Sequence, residues 1–284
     1  MRSGRDKISA TAPGRPEPPS AYGAPVPALL RRGRQPTYGG AGGKTSRSVV
    51  PLLSPAARKA LKRRMLLLRT ASLERIRKLS GVSESELRRY RQDLHGRELP
   101  DLLLGRGAGA AYVQELPQGA LLYLLVRALR PRRVVETGVR PGYSTAWILS
   151  ALDDNGQGTL TSLGPGTMNG RASGVHEGTV GEFVAPSLRS RWTLVLGNTE
   201  DRLAGILADG VPVELFFYDN GPDRDRTWFE LRCAWQALAP KGVLLAHHVD
   251  ANPVWTEFCR WQGVPLQLLD PGPPPLGALP VESD

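Results

Sequence analysis

From Leu116 onward, short β-rich runs alternate with helical stretches of 9 to 13 residues, and this alternation restricts the fold more than any other feature of the chain. A helix over Gln118–Leu129 leads into the strand RRVVETG. Helix Ser144–Leu152 is followed by the turn DDNGQG and the strand TLTSL. Strand WTLVLG precedes helix Glu200–Ala208, and strand VELFFYD precedes helix Arg226–Leu238, which ends at APKG. Then come strand VLLAHH, helix Pro253–Trp261 and the short strand PLQLL. Strands joined through helices pair in parallel, and a parallel sheet needs both faces covered. Right-handed crossovers place the loops after the strand C-termini along one rim, where ligands bind in open α/β sheets. The expected fold is therefore α/β, a mostly parallel twisted sheet with helices on both faces.

The first hundred residues are different in kind. Residues 1–50 are rich in Gly, Pro, Ser and Arg, as in PGRPEPPSAYGAPVP, and cannot bury enough apolar surface to offset ordering. They read as a disordered basic leader. From Ser54, SPAARKALKRRMLLLRTASLERIRKL has an N-cap serine, a following proline and apolar residues at helical spacing. SESELRRYRQDL opens a second helix with a capping box, Ser83 to Glu86. Residues 51–115 are thus a helical cap or dimerisation extension, leaving a homo-oligomer open, and residues 116–284 are the α/β domain.

Charge follows the same division. Residues 1–100 hold 22 Lys and Arg against 7 Asp and Glu, whereas the rest of the chain holds 15 against 20. A basic arm can bind nucleic acid, but this one has two tyrosines in its first 50 residues and no nucleic-acid motif, so a solvated tail is the preferred reading. No apolar run approaches the roughly 20 residues that cross a bilayer, and no apolar segment follows the charged start. Cys233 and Cys259 fall in helices without metal-type spacing and read as reduced, packed thiols. These features predict a cytoplasmic protein with no membrane association.

The chemistry concentrates at strand ends. VVETGVRPGYST, residues 134–145, is a strand, a Gly-rich turn and a helix start. Gly138 lets the backbone turn tightly beneath a ligand, and Gly142 removes a side chain where the helix starts close to it. Ser144 is available as the helix cap. Arg140 stands where the middle glycine of a dinucleotide fingerprint would be, which argues against a nicotinamide or flavin cofactor.

With these residues in place, the run from Gln118 to about Arg260 resembles the class I S-adenosylmethionine-dependent methyltransferases, specifically methyltransferase family 24. The matching blocks, in family order, are LLYLLVRALRPRRVVETGVRPGYSTAWILSAL, LRSRWTLVLGNTEDRL, VELFFYDNG and FELRCAWQALAPKGVLLAHHVDANPVWTEFC. The resemblance implies a Rossmann-like fold and S-adenosylmethionine as cofactor. It implies that Glu136, Gly138 and Gly142 hold the methionine portion, with Ser144 and Thr145 beside it. It places Asn198 near the adenine ring and Asp219 near the reaction centre.

The chain also departs from the family. Gly164 ends the second strand where an acid normally binds the ribose hydroxyls, and Asp153 and Asp154 lie before that strand, at the wrong end of the sheet. Pro222 falls near a usual histidine. His247 and His248 replace paired acids after the fifth strand. Asp219 and one of the histidines should share a crevice, as adjacent strand residues point to opposite faces. That histidine would act as general base on a substrate hydroxyl, or the group would hold a divalent metal, or the histidines would merely end the strand. No metal site is assigned. The catalytic candidates are Asp219, His247 and His248. The expected activity is methyl transfer to a small molecule, to oxygen. Two alternatives stand beside it: a catalytically silent binding or assembly protein, and a nucleic-acid-modifying enzyme tethered by the leader.

Overall fold

The computed structural model describes residues 68–97, 116–165, 167–168, 171–172, 180–221, 223–251, 253–272 and 274–282. The basic leader, the stretches 51–67 and 98–115 of the extension, His176 and Pro222 lie outside the described residues. Helices α1 (Thr70–Ser80) and α2 (Glu84–Gly96) precede α3 (Leu116–Leu129), β1 (Arg133–Thr137), α4 (Tyr143–Asp154) and β2 (Thr159–Gly164). A two-residue hairpin, β3 (Thr167–Met168) and β4 (Arg171–Ala172), and a 3₁₀ turn at Pro186–Arg191 lead to β5 (Trp192–Leu196). Then follow α5 (Thr199–Leu207), β6 (Val213–Tyr218), α6 (Arg224–Ala237), β7 (Leu238–His247), α7 (Val254–Trp261), β8 (Leu268–Asp270) and β9 (Leu276–Pro280).

The main sheet has the order β5-β2-β1-β6-β7-β9-β8. Strands β5, β2, β1, β6 and β7 are parallel, as the helix-strand alternation predicts. Period-two side-chain direction divides the core in two. Val134, Leu215, Phe217, Val243 and Leu245 pack with α1, α2, α3 and α4, whereas Val135, Phe216, Tyr218, Leu244 and Ala246 pack with α5, α6 and α7. The sheet is thus covered on both faces.

The last strand is new. The segment PGPPPLG, 271–277, reads in sequence as a rigid turn or extended connector, yet Leu276–Pro280 forms β9 and pairs antiparallel with both β7 and β8. LGALP has neither alternation nor β-branched residues, and its place is set by the free edge of β7. One boundary also shifts. Residues 54–67 of the helix expected from Ser54 lie outside the described residues, and Arg69 has an extended backbone (φ −67°, ψ 133°), so α1 starts at Thr70. The capping box at Ser83 and Glu86 forms as expected.

Helix α3 is apolar all round and almost wholly buried, because it lies between the sheet, α4 and the first two helices. The extension is tied down by polar contacts. Ser72 donates to Asp270 at 2.9 Å, and Arg127 pairs with Asp93 at 2.7 Å while lying 4.6 Å over the Tyr90 ring. Arg97 pairs with Asp153 and Asp154, and Asp154 also accepts from Tyr123 Oη. These two aspartates therefore anchor α2 at the rim opposite the strand C-termini. Gly119 lets α3 approach α4: a Cβ there would fall inside the indole of Trp147, which is 0% exposed. Gly119→Ala is expected to cost about 1–3 kcal/mol through overpacking. Urea unfolding followed by tryptophan fluorescence checks this, and an unchanged midpoint would contradict the close approach.

Candidate active site

β1 carries two buried valines and then Glu136, which is 0% exposed. Three hydroxyls donate to its carboxylate: Ser144 Oγ, Thr145 Oγ1 at 2.8 Å and Ser162 Oγ at 2.6 Å. Burial pushes the carboxyl above the usual range, the three hydrogen bonds pull it back, and the nearby Asp219 charge raises it again. Desolvating a carboxylate costs several kcal/mol, and charge-assisted bonds of about 1.5–3 kcal/mol each offset that. Glu136 is not among the residues lining the two cavities at the rim. It fixes Ser144 and the first turn of α4 onto β1 and β2, and Ser162 accepts in turn from Trp192 Nε1 at 2.9 Å.

The two glycines adopt left-handed conformations, Gly138 at φ 95° and Gly142 at φ 89°. A Cβ on Gly138 would collide with the Asp219 carbonyl, so this glycine joins the β1 and β6 loops. A Cβ on Gly142 would lie 3.0 Å from Gly181 Cα and 3.1 Å from Val184 Cγ2. The 180s segment is laced to the turn: Gly181 N donates to Arg140 O at 2.9 Å and Phe183 N to Pro141 O at 2.8 Å. Gly142, not Ser144, is the N-cap of α4, and no side chain caps that end, because the Ser144 hydroxyl is turned to Glu136.

Asp219 follows β6, and its Oδ1 lies 2.9 Å from His247 Nδ1. His247, the last residue of β7, is buried beside Phe217, ring centroids 6.5 Å apart. The sequence reading that the two histidines face opposite ways is overturned. β7 ends at His247, and His248 at φ 53° turns the chain so that the rings lie 4.2 Å apart. Partial burial and then His247 lower the pKa of His248.

Ser144, Asp219 and His247 line one small cavity of about 20 Å³, together with Gln118, Tyr143 and Phe217. His247 and His248 line a second, of about 10 Å³, with Tyr218, Asn220 and Trp255. His247 is the wall between them. Asn198 stands apart, exposed at the N-cap of α5, where its side chain makes no capping bond. Three strand spacings of about 4.8 Å separate the β5 loop from the β6 loop, about 14 Å along the rim.

Gly164 leaves no room for a ribose-binding acid. A Cβ there would lie 2.9 Å from Val139 Cγ1 and 3.1 Å from Leu196 Cδ2, so Val139 of the Gly-rich turn occupies that space. Among the described residues no group of three or more His, Cys, Asp or Glu is placed to share a metal ion. No described helix is long and apolar enough to cross a membrane.

Sequence reasoning missed Ser162, Gln118, Tyr143 and the blocking role of Val139. Ser162 did carry a signal, a lone polar residue on a strand otherwise buried at that end. The lining by α3 carried none, since an apolar helix gives no sign of which face meets a cavity.

A parallel sheet, a Gly-rich β1–α4 turn and an acid at the end of β6, all on one rim, define the class I methyltransferase fold. Residues 135–249 match the family model described as "Methyltransferase domain". No curated protein matches the chain. Among solved structures it is similar to the O-methyltransferase from Bacillus cereus in complex with SAH, with 18% identity, 65% of this chain and 90% of that chain covered, and a TM-score of 0.46. It is similar to a putative O-methyltransferase from Klebsiella pneumoniae, with 18% identity, 80% and 97% covered, and a TM-score of 0.47. A third is the O-methyltransferase TomG from Streptomyces achromogenes, involved in tomaymycin synthesis and in complex with SAM, with 19% identity, 70% and 91% covered, and a TM-score of 0.43.

Gly164→Asp is expected to destabilise the fold by about 1–3 kcal/mol, because the new side chain meets Val139. Thermal unfolding of G164D beside the double variant G164D/V139A tests this. Val139→Ala should recover part of the loss, and an undiminished loss in the pair would show that Val139 is not the obstacle.

Proposed function

We propose that the chain transfers a methyl group from S-adenosylmethionine to a hydroxyl oxygen of a small molecule, with His247 as general base. The observation that carries this is the 2.9 Å contact of His247 Nδ1 with Asp219 at the wall of the cavity that Ser144 also lines. The residues fit the amino-acid end of the cofactor: Asp219 offers a carboxylate to an ammonium, and the side-chain-free start of α4 offers backbone N–H groups to a carboxylate. Asn198, about 14 Å along the rim, supports an adenine position. The ribose acid is missing, so affinity rests on the two ends.

When bound, the cofactor supplies an electrophilic methyl group and its own leaving group. The chain supplies alignment and a proton acceptor. Asp219 accepts from Nδ1–H, which holds the ring and leaves the lone pair on Nε2 to take the acceptor's proton. Burial of His247 and Phe217 keeps water from the proton path. Glu136, Gly138, Gly142 and Thr145 act on the site through structure, by shaping the turn and holding Ser144. His248 lines the second cavity, where it supports a role in acceptor binding rather than in proton transfer.

A second reading, a catalytically silent partner protein, draws on Val139 covering Gly164. The basic leader as nucleic-acid tether, the homo-oligomer and the cytoplasmic location remain readings of composition alone, and the division at residues 50 and 115 is a proposal of the same kind.

Calorimetry with S-adenosylhomocysteine separates the two main readings: binding is expected, and none at millimolar ligand would end the enzyme proposal. With labelled S-adenosylmethionine and a panel of small hydroxyl acceptors, His247→Ala should lower turnover by about 10²–10⁴-fold while cofactor affinity stays near wild type. Asp219→Asn should weaken both. Unchanged turnover in H247A would remove the histidine from the mechanism.

A further inference from the structure

Glu230, on α6, is 0% exposed and takes no part in either cavity. Its carboxyl sits beneath the rim on the face of the sheet opposite Glu136. Thr137 Oγ1 donates to Oε2 at 2.6 Å, and Asn220 Nδ2 donates to Oε1 at 2.6 Å. The same amide reaches Thr199 Oγ1 at 3.4 Å, and that hydroxyl also stands against the carboxyl. Each of these three residues is the chain neighbour of an expected site residue. Thr137 precedes Gly138, Thr199 follows Asn198, and Asn220 follows Asp219. Three loops from β1, β5 and β6 therefore meet on one side chain.

An apolar residue of similar volume would fill the space under the rim without bonding any loop. A buried carboxyl is costly unless hydrogen-bonded, and here its partners are supplied by the loops themselves. We propose that Glu230 is a positioning residue whose carboxyl clamps the loops after β1, β5 and β6 in one register, so that Gly138, Asn198 and Asp219 present a single cofactor-binding rim. The proposal rests on the methyl-transfer reading of that rim for its purpose, though not for the clamp itself.

Burial pushes the Glu230 carboxyl up to about 7, against hydrogen bonds from Thr137, Asn220 and Thr199 and the charge of Arg226 that pull it down. From its own helix Arg226 and Cys233 face it, and from β6 Tyr218 does; β1 and α5 present only the threonine hydroxyls. Burial holds the Cys233 thiol and the Tyr218 phenol well above neutrality, so among these neighbours Arg226 carries the charge at pH 7. A folded-state pKa above the unfolded one means that the folded protein binds more protons between about pH 4.5 and pH 7. Stability from this group is therefore full below that window and is lost as pH rises through it. The neutral isostere glutamine keeps an acceptor for Asn220 and places an N–H toward the Thr137 hydroxyl, which can accept it.

The test is amide exchange on the ligand-free full chain, with S-adenosylhomocysteine affinity measured alongside. Glu230→Ala should raise exchange about tenfold or more in all three loops together, at 137–139, 198–202 and 219–221, and weaken the ligand by a similar factor. Glu230→Gln should keep both within about threefold of wild type and remove part of the stability loss between pH 5 and pH 7. Wild-type exchange in the E230A rim loops, or a rise confined to α6, would overturn the clamp. Should E230A fail to fold, Thr199→Val removes one arm: faster exchange at 198–202 is expected, and none would overturn the proposal equally. A wild-type protein that binds no ligand refutes the methyl-transfer reading, while the exchange measurements still decide the clamp.

Discussion

A carboxylate with no access to water, held by three hydroxyls, fixes the geometry of the rim. Glu136 draws Ser144 and Thr145 from α4 and Ser162 from β2 onto the end of β1, and Trp192 extends the chain of bonds to β5. Remove its partners and a buried carboxyl is left without hydrogen bonds, at a cost of several kcal/mol. The Gly-rich turn between β1 and α4 is therefore pinned at both ends before any ligand arrives. Its glycines serve this pinning: they admit the Asp219 carbonyl on one side and the 180s segment on the other.

The next residue does the same on the opposite face. Thr137 points away from Glu136, as strand alternation demands, and bonds Glu230. Two buried acids thus hold the two sides of one rim, Glu136 binding helix to sheet and Glu230 meeting loops from three strands. Between them lie Asp219 and His247, a pair in which the carboxylate orients the imidazole. That arrangement suits proton removal from an acceptor hydroxyl. At Gly164, where the sequence resemblance leads one to expect an acid, the Val139 side chain fills the adjoining space.

The N-terminal helices bear on this site only indirectly. They cover α3, whose inner face lines the first cavity through Gln118 and Gly119. An apolar helix of this kind would be insoluble as an outer layer, so the extension completes the domain by burying it. Arg97 and Arg127, paired with Asp154 and Asp93, set where that cover sits.

Periodicity and chain order were enough to derive the parallel sheet, the helices on both faces and the single rim that gathers strand-end residues, because side-chain alternation and crossover handedness act locally and leave few topologies. The Ser83 capping box was legible for the same reason, being a four-residue interaction. The pairing of β9, the start of α1 at Thr70 and the approach of the His248 ring to His247 were not, since each depends on what a distant segment presents. So too with the acids: a glutamate at position 136 or 230 reads alike as surface charge or ligand contact in a string of letters. Only the folded chain puts Ser162, Thr137 and Asn220 within hydrogen-bond reach and turns both into buried braces, because burial and partners belong to three dimensions.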